Sequence, residues 1–181
     1  MSLEQAKELD TMKRNIKHEQ KIIRLYGALG FIFVITVMLP SWFFLINNKS
    51  TNSTISIVAS IMCYPAILLI ALVLNIGMRR FAGDENIRDG GRSNLLKVHQ
   101  SLLSNTMEQT LIFLLFMVFF SFALPIQHIY MIYVTTFLFI IGRVAFIIGY
   151  LVFPIYRAFG FAVTMLPCVV LFLLCLFPIN S

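Results

Sequence analysis

Residues 109–142 contain no Asp, Glu, Lys or Arg, yet Glu108 closes one end of the stretch and Arg143 the other. A charge set in so apolar a run is expensive. It persists where it pairs, reaches a wet cavity or binds something. The rest of the chain has the same character. Of its 181 residues 59% are hydrophobic and 12% charged, about half the charged share of an ordinary soluble domain. The fold class read from this is an all-α integral membrane protein.

Five apolar runs are long enough to cross ~30 Å of hydrocarbon as helices. They cover 25–46, 55–78, 100–124, 127–150 and 158–177. Pro40, Pro65 and Pro167 fall inside runs, where membrane helices tolerate them. Pro125 stands between the third and fourth, whose connector is so short that the two should form a tight antiparallel pair. Residues 1–24 carry six basic and four acidic side chains. Their apolar residues recur at helical spacing, which predicts a short amphipathic helix feeding the first span.

The formal charge is +6, and its distribution gives orientation. Six basic residues lie in the N-terminal segment and five in 79–97, against Lys49 alone in the loops of the other side. The positive-inside bias puts the N-terminus in the cytosol and the C-terminus in a lumen. The same excess does not point to nucleic acid, since no soluble domain remains to bind it. Asn48 and Asn52 fit the glycosylation pattern. Cys63, Cys168 and Cys175 lie in apolar runs without metal-ligand spacing, and neither His99 nor His128 has a ligand partner in sequence. No metal is expected, and both histidines read as solvated or interfacial.

The side chains left to carry chemistry are few. Asn105 and Glu108 are three apart and share a helix face. Arg143 precedes Tyr150 by two helical turns, ~10 Å along one face. Arg157 follows in a short connector. Two readings stand. Glu108 and Arg143 form a structural ion pair where the third and fourth spans meet, or they wall a polar cavity opening to the cytosol. Such a cavity would suit an anionic ligand with several polar ends. A channel or transporter is the weaker idea, because there are no matched broken repeats.

The ordered set Asn105-x-x-Glu108, Gly142-Arg143-x6-Tyr150 and Arg157-x2-Gly160-Phe161 resembles the MAPEG family, membrane-associated proteins in eicosanoid and glutathione metabolism. The resemblance covers about residues 55–178. It implies a four-helix domain over 55–181, preceded by an extra first helix and lumenal loop (25–54) and the cytosolic segment 1–24. It further implies a homotrimer that binds glutathione between subunits through Asn105, Glu108, Arg143, Tyr150 and Arg157. Arg157 takes the place of the Arg that stabilises the glutathione thiolate. Ser101, Gln109 and Phe146 depart from an Arg and two Tyr of the family's synthase members. The extra span is similar to the mattrin-like branch. That likeness implies a non-classical scaffold or regulator in the endoplasmic reticulum or Golgi, serving maturation of membrane receptors such as Wnt receptors, or vesicle trafficking. The alternative is a glutathione transferase or peroxidase acting on lipophilic electrophiles. Lipids and a membrane receptor are the further partners this implies.

Overall fold

The computed structural model describes residues 3–44, 54–81, 94–124, 128–152 and 155–176. These form six helices: α1 (Leu3–Phe44), α2 (Thr54–Ile61), α3 (Cys63–Phe81), α4 (Asn94–Ala123), α5 (Met131–Val152) and α6 (Arg157–Leu176). Helices α2 and α3 follow each other across Met62 and make one apolar crossing. Five segments are therefore long and apolar enough to cross a membrane: Met12–Phe43, Thr54–Phe81, Leu96–Ala123, Met131–Val152 and Arg157–Leu176. The protein is an all-α membrane protein, and its described residues hold the five membrane-length helices expected. The loops with Asn48 and Asn52, the 82–93 segment and Pro125 lie outside the described residues.

The element boundaries differ from expectation in two places. The polar N-terminal segment and the first span are one unbroken helix of 42 residues that runs through Pro40. The fourth crossing begins at Met131 rather than at 127, after a turn in which Ile132 and Tyr133 donate backbone hydrogen bonds to the carbonyls of Ile129 and Tyr130.

The tightest pairing is α5 with α6, followed by α1 with α6, and α4 meets α5 and α6 over shorter stretches. Small residues set this order. A Cβ on Gly160 would overlap the backbone nitrogen of Phe146, and one on Gly142 would lie 2.6 Å from the Thr164 hydroxyl. Close backbone approach through Gly is a common way for membrane helices to gain contact, since lipid tails remove the usual apolar driving force. Gly30 does the same for α1, whose added Cβ would stand 2.8 Å from that of Ala162.

Aromatic rings fill the remaining contacts. Tyr26 lies against Tyr156 and Phe33 against Phe159, with ring centroids 4.9 and 6.0 Å apart. Phe113 stacks on Phe139 at 4.1 Å in the centre of the bundle. Trp42 stacks on His128 at 3.7 Å with the rings 14° from parallel. The two histidines are thus not solvated side chains: His99 and His128 are both buried, and burial holds the His128 imidazole below its usual pKa. The three cysteines are free thiols.

The α5–α6 contact yields a direct test. Gly160→Ala sets a methyl group against backbone that cannot rotate away, so it should destabilise the fold by about 1–3 kcal/mol or more. Gly77→Ala, where no atom lies within 4 Å of the added carbon, should leave the melting temperature in detergent unchanged or raised. Equal melting of the two variants would refute the close crossing.

Candidate functional site

Arg143 is fully buried, at 0% exposure, within α5. Its Nε donates to Thr164 Oγ1 at 3.2 Å and one terminal nitrogen donates to Asn105 Oδ1 at 3.3 Å. Its guanidinium carbon lies 4.4 Å from the centre of the Phe146 ring. Each partner follows from helix geometry. Phe146 is one turn after Arg143 on the same helix. Thr164 arrives because Gly142 and Gly160 let α6 come close, and its hydroxyl donates in turn to the Gly160 carbonyl at 2.6 Å. Asn105 reaches across from α4. The other terminal nitrogen has no hydrogen-bond partner among the described residues.

The ion pair with Glu108 does not form. Glu108 is exposed on α4 and accepts a hydrogen bond from Ser104, one turn earlier, at 3.4 Å. It shares a stripe with Leu111, Leu115, Val118 and Phe122, all exposed. Arg143 is instead held by neutral oxygens and a ring face. The cause is the packing order. The closest neighbour of α5 is α6 rather than α4, and of Asn105 and Glu108 only Asn105 is turned toward α5.

Tyr150 and Arg157 make a second group nearer the helix ends. The Tyr150 hydroxyl donates to Ser101 Oγ at 3.1 Å. The Arg157 guanidinium lies 5.4 Å from the Tyr150 ring centre. Gly149 makes this return tight, since a Cβ there would lie 3.0 Å from the Arg157 backbone nitrogen. Arg157 is the first residue of α6. The positive end of that helix therefore adds to its charge.

A cavity of about 640 Å³ opens beside these groups. That volume falls within the ~300–1,000 Å³ usual for small-molecule sites. Asn105, Phe146, Arg157 and Phe161 line one side. The opposite side is α1, through Glu19, Ile23 and Gly27. Arg143 stands behind this wall: it holds Asn105 through the amide oxygen, which turns the amide NH₂ away from the guanidinium. Of the expected site residues, Asn105 and Arg157 line this space, Arg143 and Tyr150 lie behind them through their contacts with Asn105 and Arg157, and Glu108 is outside it. The residues that sequence reasoning missed are Glu19 and Thr164. The spacing 19, 23, 27 marks one helix face and was the available signal for α1. Among the described residues no three His, Cys, Asp or Glu side chains cluster as a metal site would require.

The hydrogen bond from Arg143 to Thr164 can be weighed directly. Thr164→Val keeps the shape and removes the acceptor, which should cost about 1–3 kcal/mol by leaving a buried charged donor unpaired. In an Arg143→Met background the same change should cost much less. Full additivity in thermal melts would show that the two side chains do not interact.

With the geometry in place, comparison with known proteins adds one finding. The model of the MAPEG family matches residues 54–177, α2 through α6. No curated protein and no solved structure matches the chain.

Proposed function

The chain belongs to the MAPEG family, and on that premise we propose that it binds glutathione and transfers it to, or uses it to reduce, lipophilic electrophiles. The family broadly uses glutathione. The observation that carries the proposal is Arg157. It is exposed at the wall of the cavity, opens α6 at its positive end, and has no acidic partner among the described residues. A cation so placed stabilises thiolate over thiol. The thiolate then attacks the electrophilic carbon, a C–S bond forms, and the leaving group departs with the electron pair. Arg157 is the catalytic residue in this reading. Asn105, held by Arg143, offers its amide to the bound peptide, and Tyr150 backs Arg157.

The same proposal includes a homotrimer with the N-terminus in the cytosol and the C-terminus in an endomembrane lumen. The stripe on α4 supports the assembly. Glu108 is exposed on the same face as four large apolar side chains, where a carboxylate is costly against lipid. A second copy would cover it. Mass measurement of the detergent-solubilised protein should therefore find three chains per particle, and a monomer would count against it.

One observation favours the second reading, a MAPEG-like scaffold in membrane receptor (Wnt receptor) maturation or vesicle trafficking. At two positions where the resemblance would give glutathione polar contacts, the side chain is engaged within the chain. Phe146 lies against Arg143, and the Ser101 hydroxyl is taken by Tyr150. On this reading the cavity holds another ligand and the protein works through its partners.

Arg157 separates the two. In the purified protein, bound glutathione should show thiolate absorbance near neutral pH. Arg157→Ala should return its thiol toward the free value of about 8.5 and lower turnover of an aryl halide by about 10²–10³. Glutathione that binds with an unshifted thiol, and no turnover in the parent protein, would leave the scaffold reading in place.

A further inference from the structure

The helix that lies outside the family match is part of the cavity. Residues 54–177 match the family, whereas Glu19, Ile23 and Gly27 lie on α1, yet they line the same space as Asn105 and Arg157. Successive spacings of four put the three on one face. The contact is anchored just beyond them. Gly30 sits against Ala162 and the Phe159 carbonyl, and Tyr26 packs on Tyr156. The wall is therefore fixed to the first turns of α6, the helix that carries Arg157.

This wall changes the charge in the cavity. Within the chain, Glu108 lies outside it, and Glu19 is the carboxylate that lines it. Among the described residues, neither Glu19 nor Arg157 forms an ion pair, with each other or with a third group. An unpaired carboxylate and an unpaired guanidinium facing one space suit a zwitterion. Its anionic end goes to Arg157 and the amide of Asn105, and its ammonium to Glu19.

We propose that α1 is a wall of the ligand site supplied by the same chain, and that Glu19 is a specificity-determining residue that receives the ligand's ammonium group. The inference rests on the glutathione reading above, since glutathione carries an α-ammonium on its γ-glutamyl end. It adds that a ligand lacking this ammonium should be distinguished by α1 alone. Ile23 and Gly27 complete the wall without polar atoms in their side chains, so the ammonium has one acceptor side chain there.

Gly27 offers an independent handle. A Cβ added at this position meets nothing within 4 Å, although the residue lines the cavity. Gly27→Phe therefore extends a ring into the open space without displacing backbone. Replacing a helical glycine also removes a propensity penalty of up to about 1 kcal/mol, so the variant should fold as well as the parent.

The experiment is isothermal titration of the purified full chain with glutathione and with its analogue lacking the α-amino group. The parent should prefer glutathione. Glu19→Gln should weaken glutathione about tenfold, as expected for loss of a charge-assisted contact, and leave the analogue unchanged, so the preference disappears. Gly27→Phe should abolish binding of both while its melting temperature holds. Binding by all three proteins with the same preference would overturn this inference and leave the glutathione reading standing. Absence of binding to the parent would overturn the glutathione reading, and this inference with it.

Discussion

A guanidinium buried in an apolar bundle, with no carboxylate beside it among the described residues, is the condition to which the rest of the structure answers. Placing Arg near the middle of a membrane helix costs about 2.5–3.5 kcal/mol on insertion scales. Arg143 offsets this with two neutral oxygens and a ring face. Those partners exist only if α5 and α6 nearly touch, and they touch because Gly142 and Gly160 carry no side chain. The spacing of the helices, the placement of Thr164 and the orientation of Asn105 are thus one arrangement. Changing any of them leaves a charged donor unpaired.

The same arrangement divides the polar residues by depth. Arg143 is structural in its contacts and acts on the cavity only through Asn105. Arg157 and Glu19 are exposed and have no ion-pair partner among the described residues, so their charges are available to a ligand. Tyr150 joins the two levels: it shares α5 with Arg143, lies beneath Arg157, and ties to Ser101 on α4. Nothing in this set resembles a nucleophile with its base. The chemistry available is binding of a charged molecule and electrostatic stabilisation of an anion on it.

Much of this could be read from the sequence, for physical reasons that also mark where reading stops. Apolar runs of the right length declare membrane crossings because the bilayer fixes helix length. Arg143, Asn105, Tyr150 and Arg157 stood out because polar groups in such runs are rare. The Glu108–Arg143 pair did not form because opposite charge says nothing of which helix is the nearer neighbour. That was decided by the two glycines, whose effect depends on what faces them. His128 read as solvated or interfacial because it stands at the start of an apolar run, yet Trp42, distant in sequence, covers it. Residues 1–24 read as a separate anchor since their composition differs from the span that follows. The backbone ignores that change and continues as one helix, which brought Glu19 to the site.

That continuity has a mechanical side. A helix of 42 residues is roughly 63 Å long at 1.5 Å per residue, about twice the ~30 Å hydrocarbon thickness. The helix is thus longer than one crossing needs, and the section touching the cavity lies near the midpoint of its 42 residues. Gly30 seats this helix on α6, and Glu19 and Gly27 lie within about three turns of that seat, so the seat sets how far the wall stands from α6.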